Sequence, residues 1–146
     1  MKNSSPLGRL SVQLDPAAFV GDPELIRVLE AHSTPVPCES ERPLFRQDEP
    51  VVGIFILHNG VVTLSIMAQD GHSLFAAQAQ PGSILGLPGV ISNQPYTLSA
   101  TAGAGAQVSF VSRDDLTALM QADPLLSLKM LEVLAAEVRS ARKALY

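Results

Sequence analysis

From about Cys38 to Val111 the chain is cut into short, β-branched apolar runs by turn-forming residues, and from Pro50 to Ser112 its only formal charge is Asp70. Such segments pair as strands, because branched and aromatic side chains pack well on a pleated surface while glycine, asparagine and proline end each run. Ile54-Phe55-Ile56-Leu57-His58 and Val61-Val62-Thr63-Leu64-Ser65-Ile66-Met67 flank Asn59-Gly60, a pair that tolerates the positive φ angles of a tight hairpin. Gln69-Asp70-Gly71 reads as a second hairpin turn, Pro81-Gly82-Ser83 as a third, and Ala102-Gly103-Ala104-Gly105 as a flexible link into Gln107 to Val111. Repeated short strands at this spacing build a sandwich or a barrel. The uncharged run Val51 to Ala68 is read as strands and not as a membrane span, since His58-Asn59-Gly60 interrupts it.

Helices flank this region. Asp22-Pro23-Glu24 predicts a helix start, with Asp as N-cap, proline where a missing N–H does no harm, and an acid in the first turn. Leu25, Ile26, Val28 and Leu29 form its buried face, and Ser33-Thr34-Pro35-Val36-Pro37 stops it. Ser112-Arg113-Asp114-Asp115 has the pattern of a capping box, and Asp123-Pro124 opens a last helix. In that helix Leu131, Leu134, Val138, Ala141 and Leu145 fall three and four residues apart, an a/d seam. A helix of about 22 residues is about 33 Å long, enough to project beyond a small barrel and pair with a copy of itself. The other reading of the seam is packing on its own barrel.

With 146 residues, 47% of them apolar and 16% charged, the chain has material for one core and one domain. Residues 1–15 lack periodicity and read as a flexible arm, leaving 16–146 as the domain, with a barrel over about 38–111 and helices over about 113–145. The N-terminus has no apolar run of the kind a secretory signal needs, and cytoplasmic residence is expected. A net charge of -4 disfavours direct nucleic-acid binding, and Arg139, Arg142 and Lys143 read as the solvated cationic end of a helix. The single Cys38 rules out an intramolecular disulfide and cysteine-rich metal sites, and reads as structural or incidental in preference to a redox sensor. His32, His58 and His72 are isolated, unlike the clustered ligands of a cupin metal centre, and haem on His58 or His72 is not expected. Ser65, Ser83 and Ser92 have no histidine and acid at a recognisable spacing, so no enzyme, metal or cofactor is expected.

A leading helix, an eight-strand-sized β region and trailing helices carry three ordered motifs: Leu44-Phe45-Arg46-Gln47-Asp48-Glu49, Ile54 to Val62, and Gln80-Pro81-Gly82-Ser83-Ile84-Leu85-Gly86. Together they resemble the cyclic-nucleotide-binding sensor domain of the catabolite-activator (Crp/Fnr) family over about residues 20–146. The resemblance implies a mainly β fold, a double-stranded β-helix (jelly-roll) barrel with flanking helices and a long C-terminal helix. Asp48 stands where the family usually has glycine, and aspartate tolerates the left-handed conformation better than most residues. Nothing follows Tyr146, where regulators of the family carry a helix-turn-helix, so the chain reads as a free-standing sensor module.

The family's phosphate cassette runs F-G-E, a short helix, then P-R-(S/T/A)-A, with helix-start N–H groups and a guanidinium on the cyclic phosphate and the glutamate on the ribose. Here it reads Leu85-Gly86-Leu87-Pro88-Gly89 through Pro95-Tyr96-Thr97-Leu98. Leu87 replaces the glutamate, Tyr96 replaces the arginine, and Pro88 deletes a donor. The resemblance makes Gly86, Leu87, Pro88, Gly89, Tyr96, Thr97 and Arg142 the candidate ligand-binding residues. Tyr96 either stacks on or bonds a neutral ligand, or fills the volume a nucleotide vacated; Thr97 bonds a ligand oxygen or a neighbouring strand. Arg142 is either solvated or leans over the pocket of its own or a partner chain. The expected function is a regulatory small-molecule sensor with weak or no ordinary cAMP binding, homodimeric through the seam. The alternative is a degenerate domain used for dimerisation or protein–protein assembly, and less so a cupin-like metal enzyme.

Overall fold

The computed structural model describes residues 15–144. They form a 3-10 turn (Pro16–Phe19), helices α1 (Pro23–Glu30), α2 (Leu87–Ser92), α3 (Arg113–Ala122) and α4 (Pro124–Ala144), and eight strands. The strands are β1 (Thr34–Val36), β2 (Arg42–Phe45), β3 (Gly53–Asn59), β4 (Val62–Met67), β5 (Ser73–Ala79), β6 (Ile84–Leu85), β7 (Ser99–Ala102) and β8 (Gln107–Ser112). The expected N-terminal arm, Asp15 apart, and Leu145 of the seam lie outside the described residues.

Three helix starts follow from side-chain caps that satisfy otherwise orphaned N–H groups. Asp22 Oδ1 accepts from Glu24 N at 2.7 Å and Leu25 N at 3.2 Å, Ser112 Oγ accepts from Asp115 N at 3.1 Å, and Asp123 Oδ1 accepts from Leu125 N and Leu126 N. Asp22 also binds Lys129 of α4, which holds its carboxyl below the usual carboxylate range and ties the last helix to the start of the first.

Two four-stranded antiparallel sheets, in the orders β1-β8-β3-β6 and β2-β7-β4-β5, make the jelly-roll barrel. Their inward residues fit large against small: Val62 and Leu64 of β4 face Ala102 and Ala100 of β7, all fully buried. In the first sheet Ile54 pairs with Val111 and Phe55 with Phe110. The first strand begins at Thr34, before Cys38, and the last ends at Ser112.

Two of the expected hairpins are corners instead. β3 and β4, on either side of Asn59-Gly60, belong to different sheets, as do β5 and β6 around Pro81-Gly82-Ser83. Gly60 has φ of 92°, but Asn59 is not in the left-handed region, and a Cβ at Gly60 would stand 2.7 Å from Ala106 Cα. The pair bends the chain as its chemistry dictates, and the bend carries it from one sheet to the other. Gln69-Asp70-Gly71 does close a hairpin, since β4 and β5 pair from Val62–Ala79 to Met67–Ser73. Among the described residues no helix is long and apolar enough to cross a membrane.

Candidate functional site

The cassette begins at Gly86, whose φ of 89° turns the end of β6 into α2. A Cβ there would meet Tyr96 Cε1 at 2.9 Å, so glycine is required both by conformation and by close approach. Helix α2 is six residues long and ends at Asn93, itself left-handed. Leu87 and Val90 point into the core, and Arg113, the guanidinium that reaches the cassette, donates from Nε to Val90 O at 3.2 Å, at the carbonyl end of the helix. Asp48 adopts the left-handed φ of 71° its position demands, and its N–H bonds Tyr96 O at 2.8 Å.

Tyr96 is 2% exposed. Its hydroxyl donates to Gly53 O at 2.7 Å and accepts from Val52 N at 3.1 Å and Gly53 N at 3.3 Å. The ring stacks on Phe45 with centroids 4.1 Å apart. Gly53 itself is packed against β8 with no room for a side chain, since a Cβ would lie 2.3 Å from Val111 O. The phenol is thus bonded to Gly53, which opens β3, and to Val52 just before it, through every polar capacity it has.

The space enclosed at the cassette is small. The space lined by Gly86, Pro88, Gly89, Tyr96, Thr97 and Glu137 measures about 10 Å³, at the lower limit for a single water. Of the sequence-derived residues, these first five are brought together, with Leu87 packed beneath them. Arg142 is not: it is exposed on the outer face of α4 beside Val138 and Arg139.

Sequence reasoning missed Glu137. Helix α4 buries Leu126, Met130 and Val133, and Glu137 continues that stripe at the next helical step. Although the residue keeps partial exposure, its Oε2 is sealed from solvent without a hydrogen-bond partner, alone in this among the described residues. Burial pushes its carboxyl up to about 8. Glu137, Thr97, Leu98 and Phe19 also line a second cleft of about 210 Å³ between α4, the 3-10 turn and Ile66 of β4.

Elsewhere the fold assembles Ser109, His58 and Glu30, another grouping that sequence spacing did not reveal. His58 Nε2 and Ser109 Oγ are hydrogen-bonded at 2.6 Å, and His58 Nδ1 lies 3.9 Å from Glu30 Oε2, beyond hydrogen-bond reach. The pair satisfies a serine buried under α1. Cys38 is buried nearby with its thiol 3.4 Å from Val36 O. Among the described residues no three His, Cys, Asp or Glu side chains are placed to hold a metal.

Comparison with known proteins matches residues 35–123 to the family model of the cyclic nucleotide-binding domain. The fold is similar to that of the catabolite activator protein of Thermus thermophilus, at 21% identity and a TM-score of 0.72, over 88% of this chain and 60% of that one. It is also similar to the N-terminal domain of a transcriptional regulator from Streptomyces coelicolor, at 21% identity and 0.63, over 90% and 94% of the two chains. A third similar fold is the c-di-GMP responsive global regulator CLP of Xanthomonas campestris, at 20% identity and 0.63, over 85% and 59%. The chain spans about 60% of the length of the Thermus and Xanthomonas proteins. No curated protein matches it.

Proposed function

Since the chain belongs to the cyclic nucleotide-binding domain family, we propose that it is a non-enzymatic sensor module of signal transduction, a single domain over residues 16–146, in which the receptor for a cyclic phosphate has been dismantled. The observation that carries this reading is Tyr96: where the family's cassette places a guanidinium, this chain has a phenol whose hydroxyl is committed to Gly53 and Val52. Leu87 leaves no carboxylate for a ribose, and Pro88 removes a donor from α2. Gly86, Gly89 and Thr97 keep the outline of the cassette without its charge, and Arg142 is exposed on the outer face of α4, outside this pocket. One of the similar folds belongs to a regulator described as c-di-GMP responsive, so the fold alone does not fix the ligand.

Loss of one partner from a desolvated arginine–phosphate pair costs about 2 to 5 kcal/mol, roughly 30- to several-thousand-fold in affinity. Titration with cAMP and cGMP by calorimetry is expected to show no saturable binding in the micromolar range; micromolar binding of either overturns the reading.

The response runs through α4, which touches both the cassette remnant and the outer surface, so that occupancy of a site beneath it biases the helix between two arrangements. Leu131 and Val138 stand 55% and 50% exposed on its outer face, with Leu134 and Ala141 half-buried between them, a stripe suited to a second copy. A dimer by light scattering that becomes monomeric in Leu131→Asp/Val138→Asp is the expected result. A wild-type monomer would remove the homodimer from the proposal. A dimer that binds no small molecule would favour the second reading, an assembly module.

A further inference from the structure

We infer that the outer face of α4 is the docking surface of a second copy of this chain lying antiparallel to the first, with Glu132 of each helix set beside Arg139 and Arg142 of the other. The inference rests on the homodimer proposed above and assigns its orientation.

The free face of α4 follows from its exposed residues. Leu128, Leu131, Ala135, Val138 and Arg142 are all exposed and follow one another at alternating steps of three and four, whereas Leu126, Met130 and Val133 of the opposite stripe are buried. That spacing is the a/d seam of a helix pair. It places Glu132 and Arg139, both exposed, at equivalent positions seven residues apart along one flank, while the other flank, Ser127, Leu134 and Ala141, is uncharged. Towards the C-terminal end Ala135 and Val138 floor an open depression of about 450 Å³, rimmed by Arg139, Arg142 and Lys143.

Among the described residues none of these charges is paired. No acid stands three or four residues from Arg139 or Arg142, and the one cation so placed from Glu132, Lys129, is bound to Asp22. Two helices can meet on the seam in either sense. Parallel and in register, Arg142 meets its own copy, and the flanks set Glu132 against Ser127 and Arg139 against Leu134, so like charges collide and opposite ones do not meet. Antiparallel, each flank faces the same flank of the partner. With the two-fold axis between Ala135 and Val138, Leu131 comes level with the partner's Arg142, and Glu132 lies within about 3 Å along the axis of the partner's Arg139 and Arg142. Leu131 then enters the depression with Glu132 at its cationic rim, and the symmetry repeats the contact at the other end. An acidic polymer or surface would answer the cations but would meet Glu132 as a like charge on the same flank. A second α4 answers both signs.

The test uses the full chain carrying Cys38→Ala and a nitroxide on Leu125→Cys, measured by pulsed electron paramagnetic resonance. Antiparallel packing sets the two labels about 35 Å apart along the axis, and parallel packing sets them about 10 Å apart across the pair. The longer distance is expected. Charge reversal, followed by sedimentation equilibrium, gives the second readout. Glu132→Arg alone and Arg139→Glu/Arg142→Glu alone should each weaken the dimer about 10- to 100-fold, since the two-fold axis counts every contact twice. An equimolar mixture of the two variants should pair at close to wild-type affinity, a rescue that misfolding cannot mimic. A short label distance in an intact dimer, charge reversals without effect, or a mixture that stays apart overturns the orientation and leaves the homodimer standing. A wild-type chain that is monomeric overturns both, and its sedimentation with phosphatidylserine vesicles would give the face to an anionic membrane instead. The sensor reading is decided separately, by the cyclic-nucleotide titration.

Discussion

Between about pH 5 and about pH 9 the domain should lose roughly 3 to 5 kcal/mol of stability through one side chain, and Glu137→Leu should abolish that loss. The carboxyl of Glu137 titrates near 8 in the folded chain against an ordinary value of 4.5. Below the ordinary value both forms carry the proton and the group is neutral in its effect. From there to about 8 the unfolded chain releases its proton while the folded chain keeps it, so each pH unit favours unfolding by about 1.4 kcal/mol. Above the folded value the contribution is fully lost. The cause is burial, on the core face of α4 against Phe19 and Leu98. Asp22 runs the other way: its carboxyl is held low by Lys129, so its stabilisation is present above the ordinary carboxylate value and fades as the pH falls through the folded one. The two signs separate cleanly by mutation. In a chain of this size the alkaline difference between wild type and Glu137→Leu corresponds to about 10 °C in Tm, with the variant the more stable. Thermal melts of both at acid, neutral and alkaline pH check it; parallel curves would mean that Glu137 ionises freely in the folded protein.

That stripe shows where sequence reading stops. The spacing of Leu131, Leu134, Val138, Ala141 and Leu145 is conspicuous because every member is apolar, yet Leu131 and Val138 face outward. The buried stripe is Leu126, Met130, Val133 and Glu137, with the same three-and-four rhythm and a carboxylate in its last place. A glutamate on a helix reads as solvated unless something outside the helix covers it, and the cover is Phe19 of the 3-10 turn with Leu98 of the barrel. Ser109, His58 and Glu30 were hidden for the same reason: they meet only because β8 lies between β1 and β3 beneath α1. Turn residues failed more narrowly. Asn59-Gly60 and Pro81-Gly82 mark bends correctly, but the residues of a bend do not state which sheet the next strand joins. What was legible was local chemistry: the caps at Asp22, Ser112 and Asp123, and the left-handed Asp48, each decided by a residue and its next few neighbours. The charged groups that reach the cassette were not legible, because Arg113 and Glu137 come to it from α3 and α4.

Tyr96→Ala should be the most destabilising single substitution in the cassette, at about 5 kcal/mol, and Tyr96→Phe should account for about 2 of it. The phenylalanine variant keeps the stack on Phe45 and removes only the hydroxyl, leaving Gly53 O and the Val52 and Gly53 N–H groups without their partner in a buried place. Alanine adds the vacated ring volume between Phe45 and Gly86, and truncation of a buried aromatic costs about 3 to 5 kcal/mol even before the lost hydrogen bonds are counted. Urea denaturation of the three proteins gives both differences, and a Tyr96→Phe variant as stable as wild type would show that the hydroxyl network carries no weight. The same pair tests function. Tyr96→Ala enlarges a pocket of about 10 Å³ to one that could admit part of a nucleotide, but supplies no cation. If charge and not volume excludes the cyclic phosphate, cAMP should leave the Tm of Tyr96→Ala unchanged. A rise of several degrees with cAMP would mean that the phenol was merely a plug in an otherwise competent receptor.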